Sequence, residues 1–155
     1  MMGVEARVLK LIEFEPITGH WLWTGNLTPR KRSRRGEGYT TSGGYGRISF
    51  KGVVNRAIEA GLVKPGSRAV TAHRYLYWCM FGEIPADPAT GQTADLDHDK
   101  DFCPGRLHHC CSPQHITAVT SALNRARGVD ARRVGSHQST IFPQVEYEIG
   151  VLQRQ

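Results

Sequence analysis

The stretch from Ala94 to Thr120, ADLDHDKDFCPGRLHHCCSPQHITAVT, constrains this chain more than any other part of it. It gathers side chains that can hold a cation or move a proton: Asp97, His98, Cys103, His108, His109, Cys110, Cys111 and His115. Leu96-Asp97-His98-Asp99 reads as a short strand ending in a carboxylate and an imidazole. Ser112-Pro113-Gln114-His115 reads as a helix start. Ser is a favoured N-cap, Pro fits the first helical position, and Ile116, Val119, Leu123 and Ala126 recur at helical spacing. On that reading His115 lies near the positive end of a helix dipole, which disfavours imidazolium and keeps the ring in its ligating, neutral form. A strand bearing Asp97 and His98, a cysteine-bearing loop and a helix bearing His115 would then converge on one cation.

A chain of 155 residues suits one compact domain with a modest core and room for appendages. Its net charge of +6 and pI near 9.4 favour a polyanionic partner, although charge alone is equally at home on a basic protein with no such role. No apolar run is long enough to span a bilayer, and Met1 to Lys10 lacks the charged-then-apolar order of a signal peptide, so a cytoplasmic location and no membrane partner are expected. In a reducing compartment the four cysteines (Cys79, Cys103, Cys110, Cys111) are expected as thiols or metal ligands rather than disulfides.

Upstream, Val4 to Phe14 fits a helix through Val4, Val8, Leu11 and Ile12, with a strand as the alternative. Thr18-Gly19 reads as a turn and His20 to Thr24 as a strand. Gly43 to Lys51 reads as that strand's partner. Between them, residues 26–42 form a polar loop carrying Arg30, Lys31, Arg32, Arg34 and Arg35, which by itself suits a solvated loop or a phosphate-binding arm. Asn55 to Leu62 reads as a short helix. Thr71 to Phe81 reads as a buried helix closed by Gly82, because it is apolar nearly all round. Residues 145–149 alternate like a strand, able to pair with the N-terminal sheet or a second subunit.

The residues Asp97-His98, the run Cys110 to Ile116, Val119-Thr120 and Asn124 resemble the HNH endonucleases of the ββα-metal (His-Me finger) group. The resemblance extends upstream through Trp21-Leu22-Trp23-Thr24-Gly25, Gly44-Tyr45-Gly46-Arg47-Ile48 and Ala72-His73-Arg74, covering roughly residues 19–128 with two insertions. One departure is Ser112, where the family usually has Asn. The resemblance implies an α+β fold: a ββα-metal finger packed with an N-terminal antiparallel sheet and a buried helix. Three regions follow: residues 1–70 as a β-rich DNA-contacting part, 71–128 as the nuclease core and 129–155 as a tail. It implies an enzyme of the free-standing phage, intron or restriction type, acting in the cytoplasm of its own cell or of a host.

The implied activity is metal-dependent hydrolysis of phosphodiester bonds in double-stranded DNA. His98 would activate water, Asp97 and His115 would hold one Mg²⁺ or Mn²⁺, and Ser112 would brace the loop. Strand neighbours point to opposite faces, so Asp97 and His98 can share a phosphate only where the strand twists or ends. Tyr45, Arg47, Arg74, Asn124 and Arg125, with the basic loop and Arg127, are the expected DNA contacts. Cys103, His108, His109, Cys110 and Cys111 invite a structural zinc, with Cys79 as a further candidate. Without a doubled Cys-x-x-Cys, thiols buried as small hydrophobes are the preferred expectation. The alternative function is a non-cleaving DNA-binding module on a degenerate HNH fold, zinc-stabilised or not. A specific homodimer and a monomeric nicking enzyme both stay open.

Overall fold

The computed structural model describes residues 3–29, 44–98, 103 and 109–130, the last three of these as backbone only. Among the described residues the elements run α1 (Ala6–Leu9), β1 (Ile12–Glu15), β2 (His20–Trp23), β3 (Arg47–Ile48), α2 (Lys51–Glu59), β4 (Val70–Thr71), α3 (Ala72–Phe81), β5 (Asp95–His98), a 3-10 turn (Pro113–His115), β6 (Ile116–Val119) and α4 (Ser121–Asp130). The architecture is α+β, with three small antiparallel pairs: β1 with β2, β3 with β4, and β5 with β6.

The buried helix read from Thr71 to Phe81 is α3. Thr71 occupies its N-cap position without a side-chain hydrogen bond, and Gly82 ends it at φ 83°, a value that favours glycine. Ala72, His73, Tyr75, Leu76 and Cys79 form its buried face. Around them pack Val8 from α1, Trp23 from β2, Ile48 from β3, Val53 and Ala57 from α2, Val70 from β4, Cys111 and Ala118. One core therefore draws on both sides of residue 70. Gly46 is required at its position, since a Cβ there would lie 2.5 Å from Trp23 Cγ.

Three local expectations are corrected. Val4 to Phe14 is not one element but a single helical turn followed by β1, whose Ile12, Glu13, Phe14 and Glu15 pair with Trp23, Leu22, Trp21 and His20. The partner of β2 is thus β1, not residues 43–51. Residues 44–47 instead pair with 26–28, through Thr28 N–H to Tyr45 O at 2.8 Å and Gly44 N–H to Thr28 O at 2.9 Å, and then β3 pairs with β4. The predicted helix through His115 is also replaced. Pro113–His115 is a lone 3-10 turn, Ile116–Val119 is a strand, and the helix begins at Ser121. Two of β6's four residues are Ile and Val and a third is Thr, whose β-branching suits a pleated surface. The helical spacing of Ile116, Val119 and Leu123 coincides with a strand running into a helix. A three-residue turn has no macrodipole to act on His115, so that argument for its neutral ring lapses.

The start of α4 is fixed from outside the helix. Asp87 Oδ2 accepts from Ser121 N–H at 2.9 Å and Thr120 Oγ1 from Leu123 N–H at 3.1 Å, satisfying two of the four orphan amides. Among the described residues no helix is long and apolar enough to cross a membrane.

Candidate metal centre and the adjoining polar face

The outer edge of β2 determines where the cysteine loop sits. Trp23 N–H donates to His109 O at 2.9 Å, Cys111 N–H donates to Trp21 O at 2.8 Å, and Leu22 bridges to Cys110. Residues 109–111 therefore lie alongside β2 as a short third strand. This brings His20, at the start of β2, beside residues far away in sequence. His20, Cys103, Cys110 and His115 are all buried, and their ligand atoms lie within 4.8 Å of one another. The His115 ring meets the His20 ring edge-on at 4.8 Å between centroids, and its Nδ1 is 3.7 Å from Cys110 Sγ.

Two observations fit a cation to this group. The His20 Nε2 atom is buried with no hydrogen-bond partner, an arrangement costly for a polar ring nitrogen unless something ligates it. The donor set is two thiols and two imidazoles, which suits zinc better than magnesium. In the cation-free protein, burial pushes the Cys110 thiol up to about 11, with Cys103 beside it adding to the rise. A bound cation would have to reverse that, since the thiolate is the ligating form. Cys79 and Cys111 are different. Burial raises both, Cys111 to about 12, and Cys111 donates its S–H to Trp21 O at 3.2 Å.

The expectations for these residues divide accordingly. Cys79 and Cys111 behave as buried small hydrophobes, whereas Cys103 and Cys110 join a metal-competent cluster. His108, like the basic residues Arg30, Lys31, Arg32, Arg34 and Arg35, lies outside the described residues. His20 was missed because the only cue was a lone histidine opening an aromatic strand; its partners come from residues more than eighty positions away.

A polar face adjoins this cluster. His98 ends β5, is buried, and donates from Nε2 to Cys110 O at 2.9 Å. A carbonyl can only accept, so Nε2 carries a proton, which in the neutral ring leaves the lone pair on Nδ1. The His73 ring, from the first turn of α3, lies 6.1 Å from it between centroids, and the Tyr45 ring is 5.0 Å beyond His73. Alternation along β5 sends Asp95 and Asp97 the other way, toward α4. Asn124 Nδ2 donates to Asp95 Oδ2 at 3.0 Å and Arg127 Nη1 to Asp97 Oδ2 at 3.1 Å. Arg74 lies near Asp95, its Nε buried without a partner; burial lowers its pKa and the Asp95 charge opposes that.

The contacts of Asp97 and His115 lie in different groups. His115 faces His20 and Cys110, while Asp97 is engaged by Arg127. Ser112 is fully buried, and its Oγ has no partner, so it makes no side-chain bond that braces the loop. Arg47 and Arg125 are exposed. No family model, no curated protein and no solved structure matches this chain.

Proposed function

We propose that the chain is a metal-dependent DNA endonuclease of the HNH type, with a zinc-stapled loop beside its catalytic histidine. The observation that carries this reading is the double use of Cys110. Its thiol belongs to the His and Cys cluster, and its carbonyl holds the His98 ring by a 2.9 Å bond. A cation fixed at the thiol side thus fixes the orientation of His98 at the carbonyl side. The order β5, β6, α4 supports a ββα finger, and the Asp97-His98 and Asn124 positions carry the resemblance to that family.

In this reading His98 removes a proton from the attacking water through Nδ1. Oxygen donors for Mg²⁺ or Mn²⁺ come from the side of β5 that meets α4: the Asp97 carboxylate, once Arg127 moves to a phosphate, with Asp95 and the Asn124 amide beside it. The cation supplies positive charge at the leaving oxygen. Arg74, Arg47, Arg125 and the basic residues 30–35 serve as phosphate contacts on double-stranded DNA. The setting is the cytoplasm, of a host if the gene is mobile, and a homodimer would give paired cuts where a monomer nicks.

A second reading, a DNA-binding module without cleavage, is favoured by one specific contact, the neutralisation of Asp97 by Arg127. Plasmid nicking with and without Mg²⁺, comparing wild type with His98→Ala, separates the two. Metal-dependent nicking lost in His98→Ala supports the enzyme. DNA retention by wild type with no nicking in Mg²⁺ or Mn²⁺ supports the module.

A further inference from the structure

The β1–β2 turn carries more than a change of direction. Glu15 and His20 are the closing cross-strand pair of the hairpin, so their side chains share a face. The connection Pro16-Ile17-Thr18-Gly19 is closed by Gly19 N–H to Glu15 O at 2.9 Å, with Gly19 at φ 70°. Within it, Thr18 Oγ1 lies 2.5 Å from His20 Nδ1 and also hydrogen-bonds Glu15 Oε2, which is itself 3.2 Å from that nitrogen. A carboxylate only accepts. The Thr18 hydroxyl therefore donates to Glu15, and the His20 Nδ1 proton is shared between the Thr18 oxygen and the carboxylate. With its proton placed on Nδ1, His20 has its bare lone pair on Nε2, the buried atom without a hydrogen-bond partner.

We propose that Glu15, with Thr18, is a positioning residue for the metal centre, fixing the tautomer and direction of His20 so that Nε2 is the ligand. This rests on reading the His and Cys cluster as a zinc site. A ligating imidazole that donates its other N–H to a carboxylate is held in rotation and made a stronger base, and loss of such a partner lowers metal affinity. The device is local in sequence: six residues, Glu15 to His20, supply the ligand, its orienting carboxylate and the turn joining them. Gly19 belongs to the same construction, since its φ of 70° is one that other residues rarely adopt.

The test uses the full chain loaded with zinc, with affinity measured by competition against a chromophoric chelator. Nitrogen-15 NMR of the histidine rings gives an independent readout of the tautomer. Wild type is expected to bind one zinc, with His20 protonated at Nδ1 and ligated at Nε2. Glu15→Ala is expected to weaken binding about 10- to 100-fold, with far-UV circular dichroism unchanged because Glu15 is exposed. Glu15→Gln, whose amide oxygen still accepts the Nδ1 proton, is expected to recover part of the loss, and Thr18→Val to lose less than Glu15→Ala. Zinc bound equally tightly by wild type and Glu15→Ala, or a His20 ring ligated through Nδ1, overturns the inference while leaving the zinc site intact. Wild type that takes up no zinc overturns both.

Discussion

The cluster around Cys110 and the polar face between β5 and α4 flank the same β-ribbon, yet they are built from different atoms. The first has two thiols and two imidazoles, all buried, gathered from β2, the connecting loop and the 3-10 turn. The second has two carboxylates and an amide, with Asp97 buried at its inner end, Asp95 and Asn124 partly exposed, and Arg74 and Arg127 beside them. Soft donors closed off from water suit a cation that stays and holds the loop. Oxygen donors with access to solvent suit a cation that arrives with a phosphate and leaves. His98 stands at the join: its carbonyl partner belongs to the first group and its strand neighbour Asp97 to the second. In the proposed division His115 sides with the buried cluster rather than with the oxygen donors that its position in the sequence suggested.

The sharpest way to break this division is to empty the buried cluster. Cys110→Ala, or stripping zinc and then restoring Mg²⁺, is expected to abolish cleavage and lower the melting temperature. A loss of even about 3 kcal/mol would move the midpoint by roughly 6–12 °C in a chain of this size, and zinc sites in small peptides contribute more. A zinc-free protein that melts like the loaded one, and cuts like it in Mg²⁺, removes the structural half of the comparison. His98→Ala should act on the other half. Cleavage should fall about 10²- to 10⁴-fold while zinc content is kept. Stability should drop by about 1–3 kcal/mol, because the Cys110 carbonyl loses its buried partner. Nicking rates, zinc analysis and thermal melts on the same samples distinguish these outcomes.

What the sequence made legible follows from how local each signal is. The helix α3 could be read because its apolar residues, Thr71 and Gly82 all lie within one segment. The ribbon after it was half legible: Leu96 to Asp99 reads as a strand, close to the Asp95–His98 of β5, whereas Ile116–Val119 carries apolar spacing that fits a helix as well, and pairing with β5 decides it. His20 was not legible as a ligand. Its three partners lie 83 to 95 positions along the chain, and the hydrogen bonds of residues 109–111 along β2 help bring them together. The ion pair of Asp97 with Arg127 was hidden for the same reason, since it depends on where α4 docks.

That ion pair gives the next sharpening. If Arg127 is a guard that a phosphate draws away, Arg127→Ala should lower the Mg²⁺ concentration for half-maximal cleavage about three- to fivefold, equivalent to a pair contributing roughly 0.5–1 kcal/mol. Asp97→Asn should raise it, whatever residue stands at 127. Should Arg127→Ala leave the Mg²⁺ dependence unchanged and weaken only DNA binding, Asp97 is not the cation's ligand, and Asp95 with Asn124 becomes the oxygen-donor set to test.

The smallest expected effect is a control on that argument, an ion pair with no part in either site. Glu5 joins Arg7 at 2.5 Å and Arg56 at 2.6 Å, and Arg56 also donates to the Tyr75 hydroxyl at 2.7 Å, linking α1 and α2 to the core helix. The Arg7 hydrogen bond is the largest cause holding the Glu5 carboxyl below its ordinary value, against an opposing rise from desolvation. A carboxyl whose pKa is lower folded than unfolded binds more protons when unfolded. Its contribution is therefore present above the unfolded pKa and lost as pH falls through the folded one. Because Glu5 is partly exposed, solvent screening limits that contribution to no more than about 1 kcal/mol. Glu5→Gln should accordingly melt slightly lower than wild type at pH 7, and the gap should close in acid below the ordinary carboxylate range. Zinc affinity and the Mg²⁺ dependence of cleavage should not move at either pH. A Glu5→Gln protein that shifted the Mg²⁺ dependence as Arg127→Ala does would mean that the latter reports general loosening of the fold rather than competition for Asp97.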